Sequence, residues 1–425
     1  MRYGKGVLLT LLTKGIALPI GIASSVIIAR YLGPSGRGVL ALLIVLQGFA
    51  IQFGTLGFNA SITYFISRDK NSTSRVVTTS VLVGLVVSSL IALILFLAGR
   101  LEPKMLLGQI DVRYLHVFLV ALPFSFLQQL LQNVFIARQA IFEFNALDLI
   151  VRLLQLIAYG VVLVFLGLST YEAALAFVAV TVVAGSLYFI RTFRYVHMPV
   201  VFDWTLLASM LRYGLKTYVA SLFMFLAIRI NLFLINTMLG EYDSGVYSVA
   251  LQISDMVYLI PATLGMMLFP KVSEDVGGSV QLTIKAFRIT FVLMILMVVA
   301  ILAAGKPIVY LLYGEKFWGA VRPLYMLTPG IVCLSLVMIL NNDLAGRGLP
   351  WVVILAPALG AIINAGLNVL FVRPYGIIAS GFASSVAHLV MLLVLLGWYV
   401  RHLGINLSML LIPRRNDFDW RVFRP

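Results

Sequence analysis

The chain is a succession of apolar stretches, each about as long as a membrane-spanning helix and separated from the next by a short polar segment. A helix needs about 20 apolar residues to cross roughly 30 Å of hydrocarbon. The apolar character is continuous rather than alternating, which favours helices over the strands of a membrane barrel. The pattern predicts about twelve spans, with approximate limits 6–29, 39–66, 76–98, 114–137, 149–167, 172–190, 213–238, 246–270, 284–304, 323–344, 351–372 and 379–400.

A short phrase occurs twice and indicates that the chain is duplicated. Leu32-Gly33, four residues and Gly38-Val39 return as Leu239-Gly240, four residues and Gly245-Val246, at an offset of 207 (239 minus 32). Other pairs recur at nearly the same offset: Thr55-Leu56-Gly57 with Thr263-Leu264-Gly265, Leu107-Gly108 with Tyr313-Gly314, Pro123 with Pro329, Asn133 with Asn342, and Arg138 with Arg347. Six spans per half is an even number, so both halves begin on the same side of the membrane and the repeats are parallel.

The duplication and the polar segments together predict the domain organisation. We expect an N-terminal six-helix bundle over 1–190, a cytoplasmic linker over 191–212, a C-terminal six-helix bundle over 213–401 and a cytoplasmic tail over 402–425. Within the linker, Trp204 to Leu211 could form a short amphipathic helix on the membrane surface.

Composition and charge support a membrane protein. Of the 425 residues, 61% are hydrophobic and 11% are charged, whereas about 25% are charged in a typical soluble domain. The net charge of +15 comes from residues spread over short loops and helix ends, which does not fit a nucleic-acid surface. With the N-terminus inside, Lys and Arg on the cytoplasmic face outnumber those outside by about two to one, so we expect both termini in the cytoplasm.

The sequence contains none of the usual signs of an enzyme. It has no metal-ligand cluster, no nucleophile elbow and no phosphate-cradling glycine loop, and Cys333 is the only cysteine. We therefore expect a transporter without a metal or other cofactor. A membrane glycan polymerase or ligase would be expected to carry a long outer loop, and the longest outer loops here, near 99–113 and 305–322, are short.

The first hairpin carries a resemblance to a known family. Ala29-Arg30-Tyr31-Leu32-Gly33-Pro34, then Gly36-Arg37-Gly38 and an apolar helix ending in Gly54-Thr55-Leu56-Gly57, resemble the opening of the polysaccharide transporter family. That family includes O-antigen and exopolysaccharide flippases. It belongs to a larger exporter superfamily with the lipid II flippases and the multidrug and toxin extrusion proteins.

The resemblance implies a V-shaped exporter made of two six-helix bundles around a central cavity in the cytoplasmic membrane. Such a protein flips an oligosaccharide linked to a polyprenyl diphosphate across the bilayer by alternating access, for cell-surface polysaccharide biosynthesis. Its partners would be this lipid-linked oligosaccharide, membrane lipid and glycan-assembly proteins, and no nucleic acid. The alternative in the same superfamily is an ion-coupled drug or small-molecule antiporter, and a third reading is a membrane glycan polymerase or ligase.

Ionisable residues inside the spans are the candidate substrate ligands. A charge near the bilayer centre costs about 2.5–3.5 kcal/mol on insertion scales, so it usually faces a cavity or a partner. Lys14 and Arg229 lie in the first helices of the two repeats, which the resemblance places at the cavity, and we expect them to bind the diphosphate. The alternative for Lys14 is snorkelling to the cytoplasmic interface. Asn236 is seven residues after Arg229 and shares its helix face, so it could hydrogen-bond a sugar hydroxyl or a neighbouring helix. Lys216 is a weaker candidate, because it lies about 140° around the helix from Arg229. It is only a turn inside the cytoplasmic end of the helix, which favours snorkelling to the interface.

Asp255 and four glycines complete the candidate set. Asp255 could pair with Arg229, or it could bind a coupling proton or sodium ion. Gly33, Gly38, Gly240 and Gly245 bracket the connections after the first and seventh helices, where glycine permits tight turns, close packing or a hinge.

Two further spacings predict bonds within or between helices. Asp148 and Arg152 are four residues apart, as in an intrahelical ion pair. Asn364 and Asn368 share one helix face, and we expect them to bond another helix.

Overall fold

A computed structural model describes the backbone of residues 2–196, 202–274, 280–348, 350–405 and 409–410. Within these ranges, the side chains of residues 2–9, 11, 216, 266–267, 269–271 and 273–274 are outside the description. The described chain is all-α, and its α-helices are α1 (Arg2–Gly54), α2 (Phe58–Arg68), α3 (Thr73–Leu101), α4 (Pro103–Leu107), α5 (Val112–Ala137), α6 (Ile141–Tyr159), α7 (Thr170–Thr192), α8 (Trp204–Leu239), α9 (Glu241–Glu274), α10 (Val280–Tyr313), α11 (Val321–Gly346), α12 (Val352–Tyr375) and α13 (Ile377–Leu403).

The predicted number of spans is confirmed once the first long helix is divided at its kink. Eleven described helices are long and apolar enough to cross a membrane, and the first, Leu12–Gly54, has 43 residues. At 1.5 Å per residue it is about 65 Å long, twice the thickness of the hydrocarbon. Gly33 has φ 68° and ψ −171°, which breaks α1 into two arms. Counting these arms separately gives twelve spans, six in each half of the described chain.

The first hairpin differs from the expected pattern in two ways. The sequence predicts a loop over 30–38, but the two arms of α1 meet directly at Gly33, with helical backbone on both sides of it. The expected span over 39–66 is interrupted instead, because α1 ends at Gly54 and α2 begins at Phe58. Gly57 has φ 82°, and a Cβ on it would lie 2.3 Å from the Gly214 carbonyl oxygen of α8. The break therefore follows from a close backbone approach that the apolar pattern does not encode.

The surface helix expected over Trp204 to Leu211 is not separate. These residues are the first turns of α8, which runs without interruption to Leu239. Asp203 precedes α8, and its Oδ1 accepts hydrogen bonds from the Thr205 hydroxyl at 2.6 Å and from the backbone N–H groups of Thr205 and Leu206 at 3.0 Å. These hydrogen bonds lower the pKa of Asp203, and the bond from the Thr205 hydroxyl has the largest effect. Asp203 therefore caps the start of α8, and the helix continues from there without a turn between Leu211 and the membrane span.

The two halves repeat local structure as well as sequence. Gly108 and Gly314 both have positive φ, at 64° and 88°. The Nδ2 of Asn133 donates to the Gln129 carbonyl and that of Asn342 to the Met338 carbonyl, each at 2.8 Å. The break before α2 has no counterpart in α9, which is continuous from Glu241 to Glu274. The repeat is thus a shared scaffold with local departures.

The chain forms two compact units. Unit 1 contains Met1–Leu222 and Gly240–Gly245, and unit 2 contains Phe223–Leu239 and Val246–Pro425. Helix α8 therefore contributes its first part to unit 1 and its second part, with Arg229, to unit 2.

Candidate functional site

The candidate site in unit 2 is an ion pair between α8 and α9. Nη1 and Nη2 of Arg229 donate to the two carboxylate oxygens of Asp255 at 3.0 and 3.1 Å. The side chains are 33% and 35% exposed, so a third of each is open although both lie in membrane-spanning helices. This two-point geometry is the one that a guanidinium also offers to a phosphate group. The pairing expected for Asp255 is confirmed, whereas its role as an ion-coupling group stays a prediction.

A buried hydrogen-bonded circuit lies behind Arg229 in the same unit. Asn231 of α8 uses both of its side-chain N–H groups, donating to Tyr247 Oη at 2.8 Å and to Ser384 Oγ at 2.9 Å. Ser384 Oγ donates to the Ser380 carbonyl at 2.9 Å, and Ser380 Oγ donates to Asn368 Oδ1 at 2.5 Å. All of these side chains are buried.

The circuit returns to α8 through α12. Asn368 Nδ2 donates to the side-chain and backbone oxygens of Asn364 at 2.7 Å, and Asn364 Nδ2 donates to the Ala227 carbonyl at 2.7 Å. The expectation that these two asparagines bond another helix is confirmed. Asn231, Tyr247, Ser380 and Ser384 were not singled out from the sequence, although the four-residue spacing of the two serines was a usable signal.

The circuit controls the rotation of α8. Ala227 and Asn231 are four residues apart and share a face, while Arg229 lies about 200° from either, on the opposite side of the helix. Because the circuit bonds α8 at both flanking positions, it points Arg229 away from the buried polar face. Through Tyr247 it also bonds α9, the helix that carries Asp255. A satisfied polar circuit of this kind rigidifies the packing around it.

The other substrate-ligand candidates are in different surroundings. Lys14 is half-buried in the first arm of α1, in unit 1, and forms no hydrogen bond or ion pair with a described residue. Asn236 is fully buried and has an interaction partner inside the protein, so it is closed to a ligand in this conformation. The side chain of Lys216 lies outside the described residues. Substrate binding by all three stays a prediction.

The four glycines of the repeated phrase come together in unit 1. A Cβ on Gly38 would lie 1.8 Å from the Glu241 carbonyl oxygen, and a Cβ on Gly245 would lie 1.8 Å from the Pro34 carbonyl oxygen. Gly38 and Gly245 are equivalent in the two repeats, as are Pro34 and Glu241, so the contact is reciprocal. Gly33 and Gly240 instead have positive φ, at 68° and 101°. Glycine serves close packing at two positions and turning at the other two, and a hinge role stays a prediction.

Two further Asp–Arg pairs provide comparisons for the site. The predicted ion pair of Asp148 and Arg152 is confirmed, with Nε to Oδ2 at 2.9 Å and side chains 30% and 47% exposed. In unit 2, Asp343 is buried and accepts hydrogen bonds from Arg347 at 2.6 Å, from Thr283 at 2.6 Å and from the Tyr399 hydroxyl. That closed cluster ties α10, α11 and α13 together and leaves no carboxylate oxygen open.

The family of the chain follows from comparison with known proteins. A family model described as "Polysaccharide biosynthesis protein" matches residues 3–275, which is well over half of the 425 residues. The chain belongs to the polysaccharide biosynthesis protein family. No curated protein sequence matches the chain.

Transporters and a flippase are among the solved structures similar to this polysaccharide biosynthesis family member. An inward-facing multidrug resistance MATE transporter of the MOP superfamily matches with a TM-score of 0.75 and 17% identity, covering 94% of this chain and 98% of that one. The lipid II flippase MurJ in an inward closed conformation matches with a TM-score of 0.74 and 15% identity, covering 92% and 87%. A MOP superfamily transporter from Pyrococcus furiosus, reported with a binding pocket of reversed polarity, matches with a TM-score of 0.63 and 15% identity, covering 96% and 95%.

These likenesses establish the fold. The chain has the fold of MOP superfamily transporters and is a multi-pass membrane protein, as the resemblance of its first hairpin implied. Both drug transporters and a lipid-linked substrate flippase share this fold, so the fold alone leaves the substrate open.

Proposed function

We propose that the protein is a flippase that moves a polyprenyl-diphosphate-linked oligosaccharide across the cytoplasmic membrane by alternating access. The observation that carries this proposal is Arg229, a cation one-third exposed in a membrane-spanning helix. Intramembrane charges of this kind face a cavity or a pathway rather than lipid.

The chemistry of Arg229 suits a diphosphate. Asp255 offers its guanidinium one negative charge, whereas a diphosphate offers at least two and more acceptor oxygens. One cation within 4 Å of an anion contributes roughly 4 kcal/mol at an effective dielectric of 20, before desolvation costs. The headgroup can therefore compete with Asp255 for Arg229. Lys14 belongs to unit 1 and has no partner among the described residues, and we keep it as a separate candidate cation.

The alternative, a cation or drug antiporter, needs an acidic group that is free to bind the cation. Asp255 is the acid at the candidate site, and it is held at two points by Arg229. Proton or sodium coupling through Asp255 is compatible with either substrate class.

The experiment is a flipping assay in proteoliposomes with a fluorescent polyprenyl-diphosphate oligosaccharide. Arg229→Ala is expected to lower flipping at least tenfold, and Arg229→Lys, which keeps the charge but loses the two-point geometry, is expected to retain part of it. Arg152→Ala is the matched control, because it removes an arginine from a similarly exposed pair, and it is expected to flip at the wild-type rate. Wild-type flipping by folded Arg229→Ala would contradict the assignment of Arg229.

A further inference from the structure

A partly exposed aromatic and amide patch lies in unit 1, where the second arm of α1 meets the first part of α8. The ring of Phe53 is 47% exposed and stacks on Phe49 with centroids 6.1 Å apart and planes 15° from parallel. Beside it, Gln52 Nε2 donates to Ser221 Oγ at 3.1 Å. The Tyr218 hydroxyl donates to the Phe53 carbonyl at 3.1 Å and fixes the two helices together at this point.

The side-chain amide of Gln52 makes one hydrogen bond with the described part of the chain. Its Nε2 carries two N–H groups and bonds one hydroxyl, and its Oε1 accepts no hydrogen bond from any described residue. The Ser221 hydroxyl donates its hydrogen bond to the Tyr218 carbonyl at 2.8 Å, so it cannot also donate to Gln52. One donor and one acceptor of the Gln52 amide are therefore open.

The position of this amide argues against contact with lipid tails. Gln52 and Ser221 both lie within candidate membrane spans, and Gln52 is only partly buried. Leaving amide groups without partners in hydrocarbon costs several kcal/mol each. We therefore expect this face of unit 1, with Phe53 47% exposed on it, to contact water or a polar ligand rather than lipid tails.

We infer that Phe53 and Gln52 form a binding subsite for a neutral sugar ring of the transported oligosaccharide. A pyranose has an apolar C–H face that stacks on an aromatic ring, and its hydroxyls both donate and accept hydrogen bonds, as the open groups of the Gln52 amide do. Ligand sites combine aromatic walls with a few placed polar groups in this way. Phe49, Gln52, Phe53, Tyr218 and Ser221 carry no charge, so the patch suits a sugar rather than the diphosphate. This inference rests on the proposed function.

The test compares two lipid substrates that share the diphosphate, one with the oligosaccharide and one without any sugar. Phe53→Ala and Gln52→Ala are each expected to lower the kcat/KM of flipping about 3- to 10-fold for the sugar-bearing lipid and to leave the sugar-free lipid unchanged. Phe53→Tyr keeps the aromatic face and is expected to restore wild-type values. Phe53→Leu keeps the apolar volume and replaces Phe53→Ala if that variant does not fold.

The matched control is Phe193→Ala. Phe193 is 52% exposed and packs against Phe189 with centroids 4.9 Å apart in the same unit, and its removal is expected to change neither substrate. Equal loss for both lipids, no loss in Phe53→Ala, or the same selective loss in Phe193→Ala would overturn the subsite.

A second readout separates the subsite from the proposed function. Saturation-transfer NMR with the free oligosaccharide and the purified protein is expected to show contact with the wild type, and a several-fold weaker signal with Phe53→Ala. If the wild type flips neither lipid, the proposed function fails, and this NMR comparison still decides whether the patch binds sugar. An unchanged signal in Phe53→Ala would overturn the subsite independently of transport.

Discussion

The neutral pairing of Arg229 with Asp255 makes a prediction of unusual sign. Asparagine at position 255 keeps the shape of the side chain and can still accept a hydrogen bond, but it removes the charge that competes with a diphosphate. Asp255→Asn should therefore bind the anionic headgroup more tightly than the wild type. Removing a polar partner normally weakens a site, so a gain of affinity distinguishes competition from structural support.

The magnitude follows from the geometry. The two N···O distances are 3.0 and 3.1 Å, and about a third of each side chain is exposed. At about 4 Å, two unit charges attract by about 1 kcal/mol in bulk water and about 4 kcal/mol at an effective dielectric of 20, while exposed pairs contribute about 0.2–1 kcal/mol. A value of about 1–2 kcal/mol for this pair corresponds to a dissociation constant about 5- to 30-fold lower.

The assay is binding of a short-chain prenyl diphosphate to purified protein by calorimetry at fixed salt. Asp148→Asn is the control, because its pair with Arg152 has similar distance and exposure, and it should leave the affinity unchanged. Weaker or unchanged binding in folded Asp255→Asn would refute competition for Arg229. Equal tightening in Asp148→Asn would show a nonspecific charge effect.

Two further predictions concern the buried circuit of unit 2 and the glycine contact of unit 1. Tyr247→Phe removes one hydrogen bond from the buried circuit and should weaken diphosphate binding. The control Tyr399→Phe removes a comparably buried hydroxyl from the Asp343 cluster and should leave binding unchanged, and each variant should lose about 1 kcal/mol of stability. Equal affinities of the two variants in a side-by-side titration would contradict a positioning role for the circuit. Gly38→Ala should prevent correct packing, because its Cβ would lie 1.8 Å from the Glu241 carbonyl oxygen. Gly21→Ala should fold normally, since nothing lies within 4 Å of its Cβ position. Thermal melting of the detergent-purified variants checks both, and a wild-type melt for Gly38→Ala would show that the close approach is not required.

The sequence predicts the helices and the duplication because both are written in local patterns. Apolar length determines which segments can cross a membrane, and the phrase shared by the two halves shows which segments are equivalent. The break at Gly54–Gly57 has a different origin, since it depends on the approach of Gly57 to Gly214, more than 150 residues later. The sequence does not predict the continuity of α8 from Trp204, because polar residues in a first helical turn resemble those of a loop.

The candidate site shows the same division between local and tertiary information. The charge of Arg229 inside a span, and the acid of Asp255 in the next span, could be recognised from the sequence and were considered as a pair. The spacing of Asn364 and Asn368 predicted a bond to another helix, but only the fold shows that its acceptor is Ala227, beside Arg229. Asn236 shares the sequence periodicity of Arg229, but it is fully buried, and its burial depends on tertiary packing that the periodicity does not encode.

The central claim, that the protein flips a diphosphate-linked oligosaccharide, is tested most directly with purified wild-type protein in proteoliposomes. The two candidate substrates are tested in parallel assays. In the first, a polyprenyl-diphosphate oligosaccharide is placed in one leaflet; in the second, an organic cation is supplied together with an imposed proton or sodium gradient. The account predicts transfer of the lipid-linked oligosaccharide to the opposite leaflet, inhibition by excess prenyl diphosphate, and no gradient-driven movement of the cation. Movement of the cation without any transfer of the lipid-linked oligosaccharide would contradict it.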